Sequence, residues 1–247
     1  MMTTETPRIG TAGWSVPSLA KGAFEREGSH LERYSSRFSC AEINSSFYRP
    51  HQAETYARWA ASVPTSFRFA VKVPRAITHE ARLHDSRARL EEFADQIVGL
   101  GQKLGPILIQ LPPSLEFNAT HVKIFLGEFR QQFEGDVVIE PRHPSWFKCD
   151  ADGLLCAYRL VRVAADPARC PGAETPGGWT GLRYWRLHGS PRMYYTPYGE
   201  ERLSRMAAQL QPADWCIFDN TASGAAIHDA LFLQSLVQSY PHARVRT

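Results

Sequence analysis

Eight short runs of β-branched and aromatic residues alternate with helix-length amphipathic stretches, and this alternation narrows the available folds more than any other feature of the chain. The runs are Arg8 to Trp14, Cys40 to Tyr48, Phe67 to Pro74, Pro106 to Pro113, Asp136 to His143, Arg159 to Asp166, Gly181 to Gly189 and Asp214 to Thr221. Between them the pattern predicts helices over Leu31 to Phe38, Thr55 to Ser62, Ser86 to Leu104, Ala119 to Phe133, Glu200 to Leu210 and Ala225 to Ser239, with one short turn over Asp152 to Tyr158. Asn118 and Ser223 stand where N-caps of the fourth and last helices are expected. Repeated strand-helix units build a parallel sheet. Because no G-x-G-x-x-G follows the first run, an α/β (β/α)8 TIM-barrel-like fold is expected rather than an open doubly wound sheet. The stretch Pro167 to Thr180, PARCPGAETPGGWT, is too rich in proline and glycine for a helix, so the crossover after strand six is expected to be irregular.

Composition sets the outer bounds. A chain of 247 residues, 43% hydrophobic and 21% charged, has the make-up of a globular protein. At this size roughly three quarters of the unfolded surface is buried, enough to stand without disulfides or structural metal. With no linker and no repeat, residues 1–247 read as a single barrel domain. The net charge of +3 is spread along the chain, so extended nucleic-acid binding is not indicated. Five cysteines form no CxxC pair, which fits a reducing compartment. The N-terminal MMTTETPRIG lacks the basic and apolar segments of a leader, and no window reaches the ~20 apolar residues of a membrane span. A cytoplasmic location follows as the expectation. The oligomeric state is not legible.

Strand parity then sorts the polar residues. Alternate residues of a strand face opposite sides, and in a barrel the apolar set belongs under the helices. Glu42 and Asn44 oppose Ile43; Lys72 opposes Val71 and Val73; Gln110 opposes Ile109 and Leu111; Glu140 and Arg142 oppose Ile139; Arg186 and His188 oppose Trp185 and Leu187. This polar set is expected to point inward at the C-terminal ends of the strands, where barrel enzymes keep their sites. Asp166 ends the sixth strand and Asp219-Asn220 the eighth, with the inward member of that pair left open. The alternative is a self-satisfied ion network. Buried ion pairs rarely add net stability over apolar packing, so the number of charges here favours a site.

Several segments are also similar to a known family: IGTAGWS, EINSSFY, FAVKVPRAITH, GPILIQLPPSLEFN, EPRHPSW, RLHGSPRMYY and IFDNTASGAA. Across essentially the whole chain they resemble the DUF72, or YecE-like, family. The resemblance implies a TIM-barrel-like fold and no established reaction. Two departures stand out, the proline-rich segment after Asp166 and Asp219 itself, where similar proteins more often carry a second Asn.

The residues suggest an enzyme using acid-base chemistry on a small polar or anionic substrate, phosphorylated or sugar-like, at the C-terminal mouth. Glu140 and His188 are the expected proton-transfer pair. Lys72 is a further catalytic candidate, as anion ligand, base or imine-forming amine. Arg142 and Arg186 are expected to orient substrate, with Glu42, Asn44, Tyr48, Gln110, Arg192 and Asn220 as lining. Aromatics at the same strand ends, Trp14, Phe47, Tyr48, Trp146, Tyr194, Tyr195 and Tyr198, suggest a stacking rim. The segment Asn220 to Ala225 before the last helix, with Arg192 opposite, suggests an anion site. HEAR at His79 to Arg82 lacks the second histidine of HExxH, and there is no phosphate-loop pattern. No cofactor and no metal are expected. Two other readings stay open: a metal-dependent isomerase or phosphoesterase using Glu42, Glu140, His188 and Asp219 as ligands, and a non-catalytic protein binding a nucleotide or single-stranded nucleic acid.

Overall fold

A computed structural model describes residues 6–239. Residues 1–5, part of the stretch read for a leader, and residues 240–247 lie outside the described residues. In chain order the elements are β1 (Arg8–Thr11), α1 (His30–Ser35), β2 (Cys40–Ile43), α2 (Ala53–Ala61), β3 (Arg68–Lys72), α3 (Arg87–Ile97), β4 (Leu104–Gln110), α4 (Ala119–Gln132), β5 (Val137–Glu140), α5 (Cys149–Ala157), β6 (Leu160–Arg162), β7 (Ala164–Asp166), β8 (Gly177–Gly178), β9 (Tyr184–Leu187), α6 (Glu200–Gln209), β10 (Trp215–Phe218) and α7 (Ala225–Ser239).

Parallel pairing organises them into two sheets, β1-β10-β9-β7 and β2-β3-β4-β5-β6-β8, the last pair antiparallel. The sheets meet at two seams. At one, Ala12 bridges Glu42 and the Gly13 N–H donates to the Glu42 carbonyl at 2.8 Å. At the other, the chain passes from β6 into β7 across Val163, whose N–H donates to Ile139 O at 2.8 Å. The result is an α/β TIM-barrel-like order of eight staves. The sixth run is one stave in two pieces because it must pair with β5 at its start and with β9 at its end.

Parity explains the core. Ile43, Val71, Ile109, Ile139, Leu187 and Phe218 face outward and are buried under the helices. Helix α4 answers them with Val122, Phe125, Leu126 and Phe129, an i, i+3, i+4, i+7 stripe worth about 1.5 to 3 kcal/mol per fully buried side chain. The opposite parity, Cys40, Ala70, Leu108, Val138, Val161, Tyr184, Trp215 and Ile217, forms a second apolar cluster inside the barrel. That plug leaves the strand C-termini as the place where inward polar groups gather.

Local signals met mixed outcomes. Asn118 caps α4, its side chain accepting the His121 N–H at 3.0 Å. Ser223 instead donates to Tyr195 O at 2.6 Å and meets the Ala225 N–H only at 3.4 Å, so it ties a loop. The short turn expected at Asp152 to Tyr158 is the nine-residue helix α5, which buries only Ala151 and Leu155 and so gives a faint periodic signal. The crossover after β7 is irregular as expected, made of turns and β8. No helix among the described residues is long and apolar enough to cross a membrane.

Candidate functional site

At the C-terminal end of the barrel, Glu42, Lys72, Gln110, Glu140, Arg186, His188 and Asp219 are all buried. Arg186, fully buried at the end of β9, is the hub. Its Nε and NH2 donate to Glu42 at 3.1 and 2.7 Å, its NH1 to Glu140 Oε2 at 2.6 Å, and its NH2 also to Asp219 Oδ2 at 3.1 Å. The Tyr184 hydroxyl donates to Glu42 Oε2 at 2.9 Å. Glu140 further accepts from Gln110 Nε2 at 3.1 Å and from Arg142 Nε at 3.0 Å. His188 lies between carboxylates, Nδ1 2.9 Å from Asp219 Oδ2 and Nε2 3.2 Å from Glu140 Oε1.

This geometry reassigns the expected roles. Burial alone would raise the Glu140 carboxyl, but Arg186, His188 and Arg142 outweigh it and hold the group well below the usual carboxylate range. Glu140 is therefore a fixed anion and a poor base. Burial likewise works against ionised Asp219, and Arg186 and His188 reverse it. Arg186 spends its donors on three carboxylates, so it orders the network and has little left for a substrate. Its guanidinium also fills the space between carboxylates that the metal reading requires. Among the described residues no group of three His, Cys, Asp or Glu side chains is arranged to hold a metal ion.

Lys72 is different. Only 4% exposed, it makes no ion pair within 4.0 Å among the described residues, and its Nζ lies 4.0 Å from the Phe47 ring centroid. Desolvation first, then Arg186, lowers its amine to about 8 against the pull of Glu42, Glu140 and Asp219. His79 also meets the Phe47 ring, edge-on with ring centroids 4.9 Å apart. Burial, then Lys72, Arg142 and Arg75, lower His79 to about 4, so its ring is neutral at pH 7. Thr78 Oγ1 donates to Pro74 O at 3.4 Å and sits 2.8 Å from His79 Nδ1. Set against HExxH alone, the sequence HEAR does not single out His79. The available signal was its place in FAVKVPRAITH, one turn beyond the lysine strand.

Other expected residues fall elsewhere. Asp219 faces inward, whereas Asn220 faces out, donating to Thr196 O at 3.1 Å and Asp229 Oδ2 at 2.7 Å; it holds α7 and lines no site. Asn44 stays at the mouth, its Nδ2 3.4 Å from Asp219 Oδ1 and its Oδ1 buried without a partner. Asp166 pairs with Arg202 outside the barrel, and Ala165 takes the inward position. Tyr48, 70% exposed, lines a separate cleft of about 280 Å³ with Pro74, Arg75 and Phe93. Trp146 and Tyr198 are buried rather than on a rim. Arg192 stacks over Tyr195 at 4.1 Å and does not line the cavity before α7, so the expected anion site is not assembled from these parts.

The space over Glu140, Arg142 and His188 is a void of about 10 Å³ roofed by Pro167, Arg169 and Met193. A larger cavity, about 450 Å³, opens between Gly13, Trp14, Ser15, His30, Asn44 and Ser45, with Asn44 shared between cavity and network.

Comparison with known proteins agrees with this architecture. The UPF0759 protein YecE of Escherichia coli (strain K12) is 29% identical over 141 residues, covering 56% of this chain. The chain spans about half the length of this curated relative, 49%. The crystal structure of a DUF72 family protein from Enterococcus faecalis V583 superposes with a TM-score of 0.79 at 19% identity, covering 94% of this chain and 96% of that one. A sugar phosphate isomerase/epimerase from Parabacteroides distasonis shares the fold more distantly, with a TM-score of 0.54 at 10% identity over 98% of this chain and 99% of that one. Residues 8–246 match the family described as protein of unknown function DUF72, and the chain belongs to that family.

Proposed function

We propose that the protein is an enzyme performing acid-base chemistry on a small polar or anionic substrate at the barrel mouth, with Lys72 as the proton-transferring group. One observation carries this reading: a buried lysine amine without an ionic partner among the described residues sits beside three carboxylates that are all committed to Arg186. A structural ion network would bring the lysine into its pairing, since an unpaired buried cation costs stability. An amine near 8 exchanges protons readily at neutral pH. Glu42, Glu140, Asp219 and Arg186 hold the geometry, and Asn44, which lines the larger cavity, faces the substrate.

Competitive acetylation of the intact protein across neutral to alkaline pH, read by peptide mass spectrometry, measures the amine directly. Lys72 is expected to titrate near 8 and the exposed lysines near about 10.4. An ordinary lysine titration at position 72 removes the proposed role.

A further inference from the structure

We infer that Lys72 forms a covalent imine with an anionic aldehyde or ketone, so that the substrate of the mouth site is a small carbonyl compound bearing a carboxylate or phosphate. This deepens the acid-base reading and rests on it. The geometric basis is the isolation of the Lys72 nitrogen. No carboxylate competes for it within 4.0 Å among the described residues, and the Phe47 ring shields one side. The charges that bear on neighbouring His79 are mainly cationic, Lys72, Arg142 and Arg75 against Glu80 alone, which favours a substrate that brings a negative charge. The lowered amine adds that a useful fraction is neutral, and therefore nucleophilic, at pH 7.

The step balances without an oxidant. The nitrogen lone pair forms the C–N bond while the carbonyl π pair moves to oxygen, which takes a proton as the nitrogen gives one up. The resulting carbinolamine loses its hydroxyl, with the second nitrogen proton, as water. Amine plus carbonyl thus gives imine plus water.

The chain offers an unusually clean test because it contains only five lysines: Lys21, Lys72, Lys103, Lys123 and Lys148. Lys103 is engaged by the Ala60 and Val63 carbonyls, each at 2.5 Å, and Lys21, Lys123 and Lys148 are exposed. The intact protein would be incubated at pH 7 with pyruvate, dihydroxyacetone phosphate or uncharged glycolaldehyde, each with cyanoborohydride as the reducing trap, and digested for mass mapping. A secondary-amine adduct on Lys72 at least about tenfold above any exposed lysine is expected with an anionic probe and is lost in Lys72→Arg. The carboxylate and phosphate arms distinguish the two sources of charge. No Lys72 adduct with any probe, or adducts on exposed lysines alone, overturns the imine, and labelling of Lys72 by glycolaldehyde only overturns the anionic class. A Lys72 that titrates near 8 yet traps nothing removes the imine and leaves proton transfer standing, whereas an ordinary titration removes proton transfer itself.

Discussion

At the scale of single residues, Glu140 and Lys72 are neighbours in one network with opposite energetics. Glu140 accepts from Gln110, Arg142, Arg186 and His188, so Glu140→Gln leaves cationic donors facing an amide and is expected to cost about 3 to 5 kcal/mol. Thermal unfolding against the wild type measures it, and a loss below 1 kcal/mol would show the network to be dispensable. Lys72 works against folding. Its amine binds a proton less tightly in the folded protein, about 8, than in the unfolded chain, 10.5, so the unfolded state holds more protons between those values and stability rises with pH there. Below 8 the full penalty applies, of order 3 kcal/mol. Lys72→Met is therefore expected to raise the melting temperature at pH 7, with the gain shrinking toward zero near pH 10.5. A variant less stable than wild type at pH 7 would contradict the isolated-amine picture.

At the scale of elements, two local devices fix how helices meet the barrel. The Asn118 cap satisfies one of the free N–H groups of α4, and Asn118→Ala is expected to cost about 1 kcal/mol in urea unfolding with an unchanged slope. The segment after β7 lacks a helix and is fastened instead by Arg162, which reaches Asp152 Oδ1 at 3.0 Å and the Gly172 carbonyl at 2.7 Å. With so few backbone pairs of its own, residues 167–181 should exchange amide hydrogens well before β3 to β5, which hydrogen-exchange mass spectrometry resolves by peptide. Equal protection of the two regions would mean that this stretch opens only with the whole barrel.

At the scale of the whole molecule, the seam between β1 and β2 is the narrow place, held by the Ala12–Glu42 bridge rather than a full ladder. Gly10 sits against it: a Cβ there would lie 2.3 Å from Cys40 O and 2.8 Å from Cys40 Sγ. Gly10→Ala must push β1 off β2, with an expected loss of about 1 to 3 kcal/mol from overpacking. Because Glu42 lies on the same seam, binding at the mouth should weaken along with stability, which calorimetry with pyruvate would read if the carbonyl assignment holds.

Period-two alternation made the eight staves, the inward set and the end of the barrel that carries the charges legible from the chain alone. Parity is a local property of extended backbone, so Glu42, Lys72, Gln110, Glu140, Arg186 and His188 could be placed on one face before any partner was known. Partnership is not local. That Arg186 takes three carboxylates from β2, β5 and the end of β10 depends on which staves stand across the barrel, over sequence separations of 144, 46 and 33 residues. The same closure across the interior left Lys72 without a carboxylate within 4.0 Å among the described residues, turned Asp219 inward and Asn220 toward α7, and set His79 beside Phe47. The sequence by itself determined which side chains enter the mouth. Only the tertiary structure decided which of them neutralise one another and which amine is left reactive, because that choice is made by distances across the barrel and not along the strand.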